Sequence, residues 1–274
     1  MGIYIAMDSI LTGHIRDTSH HYLRNIIRGR TCAVLAHGAS IQELENHIVS
    51  INEMVDICWV SLGVYNVVED FILNRINKHL DILFECSGVP EERIKNFELS
   101  VRGPRLEKFL QRDEYNLWIT SHGFIRDNVK PYLSQLLNYS KKILVIDSIF
   151  PRATLKRWMD VPNSITLLTG ALIAGGASKI IYFGLDGHKG DGYNHFNSYY
   201  QPHLIESERF NAFGSEYDSG INRDTYEFEK RFNKISTEYM GVFANKPKLY
   251  NCSPGTIFTV IPKINYQDLK GVLK

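Results

Sequence analysis

The chain has 274 residues, of which 44% are hydrophobic and 22% charged, the balance of an ordinary globular protein with a sizeable core and not of a disordered or disulfide-dense chain. Lys+Arg 31 against Asp+Glu 30 leaves a formal net charge of +1, so no global field holds a nucleic acid or an anionic membrane, and recognition falls to a local site. Cys32, Cys58, Cys86 and Cys252 form no C-x-x-C pair, which excludes a zinc ribbon or thioredoxin motif and fits free thiols in a reducing cytoplasm.

Residues 1–30 read as an amphipathic leader carrying His14, His20 and His21, without the basic and long apolar regions of a secretory signal. Short apolar runs then alternate with helix-period segments, the α/β signature. In chain order the expected elements are a strand at Thr31–Ala36, a helix at Ile41–Asn52, a strand at Asp56–Val60 and a helix at Val67–Lys78. Strands at Asp81–Phe84 and Asn116–Thr120, a helix at Asp127–Asn138 and a strand at Lys142–Ile146 come next. The uncharged stretch from Val161 to Ser178 contains Pro162, Asn163 and Ser164 and is flanked by Asp160 and Lys179, so it reads as a buried core helix over Ser164–Ala177 and not as a membrane span. A strand at Lys179–Phe183, a helix at Asp224–Phe243 and a strand at Lys248–Asn251 complete the order. The strands are almost continuously apolar, as in a parallel sheet covered on both faces. The expected fold is a Rossmann-like, doubly wound, mostly parallel sheet forming one nucleotide-binding domain over residues 31–274. The aperiodic segment Gly187–Arg223, inserted after the Gly184-Leu185-Asp186 strand end, is expected to be a lid.

Ligands of open α/β sheets bind beyond the carboxyl ends of the strands, so the residues directly after each apolar run are the candidates for a site. The first run leads into His37-Gly38-Ala39-Ser40, the second into Ser61-Leu62-Gly63 and the third into Glu85-Cys86-Ser87-Gly88. The next three lead into Ser121-His122-Gly123, Asp147-Ser148 and Gly184-Leu185-Asp186-Gly187-His188. Gly38 lets the backbone turn tightly and approach an anion, and Ser40 with Glu43 fits a capping box on the helix beginning at Ile41; the two readings are compatible. Asp186 places a carboxylate at the sheet edge, where it binds a ribose, a metal or an acceptor hydroxyl, or caps the loop through backbone amides. The aromatic, hydrogen-bonding run from Asp191 to His203 suits a cover that stacks on a base or sugar and excludes water. The spacing of His188, His195 and His203 lacks a helical metal-ligand pairing, and no zinc site is read there.

Three segments, Ala33-Val34-Leu35-Ala36-His37-Gly38-Ala39-Ser40-Ile41, Thr169–Gly176 leading into Ile180–Asp186, and Leu249-Tyr250-Asn251-Cys252-Ser253-Pro254-Gly255, resemble the MptE-like superfamily. That group includes hydroxymethylpterin pyrophosphokinases and motility-accessory-factor glycosyltransferases and is distantly similar to bacterial sialyltransferases that use CMP-sialic acid. The resemblance spans roughly Thr31 to Pro254 and rests on short motifs. It implies that His37, Gly38, Ala39 and Ser40 receive the nucleotide, with His37 where the sialyltransferase turn has asparagine. It further implies donor contacts at Ser61, Cys86, Ser87, Asn163 and Ser164, and a phosphate contact at Tyr217. The family's catalytic histidine falls on Gly220, which leaves the base to Asp218, His195 or His203, with Asp186 and His188 at the strand edge as further catalytic candidates.

Three functions stand as alternatives. A cytoplasmic glycosyltransferase, peripheral to the inner membrane or free, would take a nucleotide-activated, CMP-linked sugar donor and a glycan or protein acceptor of the bacterial surface, with no required cofactor. A pyrophosphokinase would add Mg²⁺ held by Asp186 and Asp147. A noncatalytic nucleotide- or sugar-binding module would need neither. No nucleic acid and no transmembrane segment is expected, and self-association into a homo-oligomer is compatible with each.

Overall fold

All seven apolar runs form strands: β1 Thr31–Leu35, β2 Ile57–Leu62, β3 Ile82–Glu85, β4 Leu117–Thr120, β5 Ile143–Val145, β6 Lys179–Phe183 and β7 Lys248–Asn251. The computed structural model describes residues 22–36, 38–53, 56–62, 72–85, 108–112, 116–120, 137–146, 164–186, 232–233, 237, 246–254, 256 and 258–273. The strands make one sheet in the order β5-β4-β3-β2-β1-β6-β7, and every neighbouring pair is parallel. The fold is therefore α/β and Rossmann-like, as the apolar runs predict.

Alternation along each strand sends successive side chains to opposite faces. Ala33, Leu35, Trp59, Leu83 and Trp118 enter one core, and Val34, Val60, Phe84, Ile119 and Tyr182 enter the other. Both faces are apolar because both are covered, and complete burial of a side chain such as Leu35 or Phe84 contributes about 1.5–3 kcal/mol.

The covering elements explain where the sheet opens. From β1 the chain moves toward β5, and from β5 it returns past β1 to β6, so right-handed crossovers must put the two sets of connections on opposite faces. They do. Ile41, Leu44, Ile48 and Ile51, between β1 and β2, pack in the first core. Helix Ser164–Gly175, between β5 and β6, packs in the second through Ile165, Leu168, Leu172 and Ile173. The helical residues 22–27 lie on the same face, with Leu23 and Ile27 buried against Gly175, where an added Cβ would come within 2.9 Å of Ile27. The strand order reverses between β1 and β6, the place at whose carboxyl edge open α/β sheets bind their ligands.

Two expected helices differ in detail. The Ile41–Asn52 pattern forms a 3₁₀-helix, Ala39–Asn46, followed by a short α-helix, Ile48–Asn52. The apolar face is the expected one, but His47 breaks the element, with its ring stacked on Tyr266 at 4.2 Å between centroids. Of the Val67–Lys78 pattern, Leu73–Ile76 is a 3₁₀ turn closed by Asn77 in the left-handed region. Most of the Asp127–Asn138 and Asp224–Phe243 patterns lie outside the described residues.

The opposite, amino edge is held by polar contacts. Arg30 donates to the Ile26 and Ile57 carbonyls and to Asp56, each at 2.9 Å, and approaches Asp81 at 3.5 Å. Asp81 in turn accepts the Trp59 amide at 2.7 Å, and its own carbonyl accepts the Leu117 amide at 2.8 Å. These bonds join β1, β2 and β4 below the sheet. Burial raises the Asp81 carboxyl above its ordinary range, against the Trp59 amide and Arg30, which pull it down.

Candidate functional site

The ladder between β1 and β6 continues past the strand ends. The Ala36 amide donates to the Phe183 carbonyl and the Gly38 amide to the Gly184 carbonyl, both at 2.8 Å. Gly184 turns the chain with φ +70°, in the left-handed region, and a Cβ there would lie 2.9 Å from the Ile41 Cβ and 3.0 Å from the Ala36 carbonyl. The turn delivers Asp186 to the amino end of the 3₁₀-helix. One carboxylate oxygen, Oδ2, accepts the Ser40 amide at 2.9 Å, and Oδ1 accepts the Ser40 hydroxyl.

This clasp corrects the expected capping box. The helix cap is Gly38, in extended conformation without a side-chain bond, so Ser40 is not the N-cap. The capping carboxylate comes instead from across the switch point. A Cβ on Gly38 would stand 2.4 Å from both Asp186 Oδ2 and the Gly184 carbonyl. Gly38 does allow close approach of an anion to the turn, and the anion it meets is the chain's own. A negative group on the first free amides of a helix is favoured by their positive ends.

Beyond the clasp, Tyr266 stacks between His47 and Phe183, with centroids 4.2 and 6.0 Å away. Burial raises its hydroxyl, and the neighbouring Cys252, Glu43 and Asp186 add to the rise. Cys252 is pushed up to about 12 by burial, with Glu43 and Asp268 contributing, so its thiol is not a nucleophile near neutral pH. Among the described residues, no group of three or more His, Cys, Asp or Glu side chains could hold a metal ion.

The structure thus joins Gly38, Ala39, Ser40 and Asp186 at one point. Ser164 is the first residue of its helix, which runs against the strand direction into β6, so it stands at the same carboxyl edge. Ser61, expected just after β2, lies within it, fully buried and in register with Leu35 and Leu83. His37, Cys86, Ser87, Asp147, Asn163, His188, His195, His203, Tyr217 and Asp218 lie outside the described residues, as do Gly220 and the expected lid, residues 187–223. Asn251, Ser253 and Thr256, whose side chains bond to the backbone amide and carbonyl of Leu185, are additions not among the residues expected from the sequence. Their signal is present in the sequence, since Ser253 and Thr256 stand just beyond the seventh apolar run as the other polar candidates stand beyond the first six.

No protein-family model matches the sequence, and no curated protein matches it either. Among solved structures, a mammalian sialyltransferase in complex with Gal-beta-1-3GalNAc-ortho-nitrophenol is similar to this chain, with a TM-score of 0.34 and 13% identity over 81% of this chain and 84% of that chain. The fold assignment rests on the chain's own strand order and parallel register. Among the described residues, no helix is long and apolar enough to cross a membrane.

Proposed function

We propose that this chain is a glycosyltransferase that moves a sugar from a nucleotide-activated, CMP-linked donor to a hydroxyl of a bacterial surface glycan or glycoprotein. The observation that carries the reading is the meeting of Asp186 with the Gly38-Ala39-Ser40 turn at the point where the strand order reverses. Nucleotides of doubly wound sheets bind at such a point, with their phosphate on the first turn. The motif resemblance supports the same class.

In this reading the amide and hydroxyl of Ser40 hold the leaving phosphate, with Ala39 beside them and Ser164 facing the donor from the same edge. Entry of the phosphate displaces Asp186 from Ser40 and frees its carboxylate to face the acceptor. The acceptor oxygen bonds to the anomeric carbon, the bond from that carbon to the phosphate oxygen breaks, and its electron pair leaves on CMP. The acceptor proton passes to a base, for which Asp186 and the further candidates His188, His195, His203 and Asp218 are proposed, with Tyr217 on the donor phosphate.

A thermal-shift screen with CMP, CDP, UDP, GDP and ATP, each with and without Mg²⁺, tests it. Stabilisation by CMP without metal is expected, rising to about 2.7 kcal/mol at a hundredfold excess over Kd. Stabilisation by ATP alone, and only with Mg²⁺, would replace this reading with the pyrophosphokinase.

A further inference from the structure

The Asn251–Thr256 segment after β7 supplies a set of bonds out of proportion to its length. The Leu185 amide donates to Ser253 Oγ at 2.8 Å. The Leu185 carbonyl accepts from Thr256 Oγ1 at 2.8 Å and from Asn251 Nδ2 at 3.0 Å. Thr256 Oγ1 also accepts from Asn251 Nδ2 at 2.9 Å and from the Phe258 amide at 3.1 Å. A hydroxyl has one proton and two acceptor sites, so this one is fully used. Asn251 and Ser253 are fully buried. Asn251 is itself fixed, its amide donating to the Pro262 carbonyl at 2.9 Å and its carbonyl accepting from Ile264 at 3.0 Å.

The last backbone bond of the β6–β7 ladder, from Cys252 to Tyr182 at 2.8 Å, comes just before this cluster. Beyond it, side chains take over the partnership of both backbone groups of Leu185, the residue directly before Asp186. We propose that Ser253, Thr256 and Asn251 are positioning residues that fix the peptide groups on both sides of Leu185 so that the Asp186 carboxylate is aimed at Ser40 and, on the nucleotide reading above, on which this last step rests, at the ligand. Three bonds on the two peptide groups that flank Leu185 leave Asp186 little freedom beyond its own side-chain rotation. That makes the β7 end part of the site although it touches no ligand.

Thr256→Val keeps the side-chain shape and removes the hydroxyl, and Thr256→Ser restores it. Ser253→Ala cuts the bond to the preceding peptide, at the Leu185 amide, and serves where Thr256→Val does not fold. The readouts are the ¹³C resonance of the Asp186 carboxylate and the amide proton resonance of Ser40 in the free protein, followed by CMP affinity by calorimetry. Thr256→Val is expected to move both resonances and, because a carboxylate held less firmly on Ser40 competes less with the incoming phosphate, to tighten CMP binding at least about fivefold, with Thr256→Ser returning to within about twofold of the wild type. A folded Thr256→Val or Ser253→Ala protein whose Asp186 and Ser40 resonances stay in place overturns the proposal, whatever its melting temperature. Loss of folding in both would assign the cluster to the scaffold and overturn it as well. If the wild type does not bind CMP, the nucleotide reading fails, and the two resonances still decide the positioning role.

Discussion

The Ser40 amide donates to the Asp186 carboxylate at 2.9 Å although the two residues lie 146 positions apart. The contact ties the first βα turn to the end of β6, the two elements that border the reversal of strand order. Its chemistry is that of an anion seated at a helix start, with the anion supplied internally. On the proposed nucleotide reading, a ligand phosphate arriving at the same amide would compete with a carboxylate already in place, and binding would be linked to the release of Asp186.

The clasp predicts a difference between two substitutions. Asp186→Asn retains an oxygen for the Ser40 amide, and the Ser40 hydroxyl can turn to accept from the new amide, so stability stays within about 1 kcal/mol. Asp186→Ala removes both bonds and costs about 1–3 kcal/mol. Sugar transfer by Asp186→Asn is expected to fall at least about tenfold, or about 1.4 kcal/mol in the barrier, because the charge is gone. Urea unfolding and turnover on the same two proteins check this. A normally active Asn variant would leave Asp186 as a cap alone.

Gly38→Ala is expected to destabilise the fold by about 1–3 kcal/mol before any ligand is considered. The added methyl meets Asp186 Oδ2 and the Gly184 carbonyl at 2.4 Å, and the carbonyl belongs to a backbone that cannot step aside. Adding Asp186→Ala should therefore not restore the stability of Gly38→Ala. Full restoration in the double variant, measured by urea unfolding, would show that the side chain and not the β6 backbone sets the limit.

All seven strands are legible in the sequence because each is a short apolar run that both faces of a covered sheet demand, and β6 matches its run, Lys179–Phe183, to the residue. The helices are less legible. The spacing of Ile41, Leu44, Ile48 and Ile51 gives a buried face for a 3₁₀- or an α-helix alike, and nothing local marks His47 as the break. Within the site, Gly38, Ser40 and Asp186 each stand out by their position after a strand. Their bond does not, because a contact across 146 positions depends on which strands become neighbours, and the sequence order of β1 and β6 does not state that. The role of Thr256 is hidden for the same reason.

Asp81 predicts a dependence of stability on pH. Its carboxyl is raised above its ordinary 3.8 chiefly by burial, so the folded chain keeps this proton to higher pH than the unfolded chain. Where the folded state binds more protons, stability falls as pH rises. Asp81→Asn lacks that loss, but it also deprives Arg30 of a partner at the amino edge. The variant is expected to be the less stable protein, with the gap to wild type narrowing as pH rises through and above the ordinary carboxyl value of 3.8. Denaturant unfolding at several pH values checks this, and a gap that widens over that range would contradict it.

Tyr182 and Thr169 test the second core in the same physical terms. The two hydroxyls lie 2.7 Å apart, and Thr169 already donates to the Ile165 carbonyl at 2.7 Å, so Tyr182 must be the donor between them. Both residues are buried. Burial pushes the tyrosine hydroxyl up despite this bond, as expected of a group with no access to water. Tyr182→Phe removes the donor and leaves Thr169 still bonded to Ile165, at an expected cost of about 0.5–1.5 kcal/mol. Thr169→Val leaves the tyrosine proton buried with no acceptor, and its cost is expected to be larger, about 1–3 kcal/mol. In the double variant neither polar group remains stranded, so its loss should be well below the sum of the two and no greater than that of Thr169→Val alone. A double-mutant cycle by urea unfolding measures the coupling directly. Strictly additive losses would mean that the two hydroxyls act independently and that the bond joining β6 to the helix above it contributes nothing to the stability of the sheet.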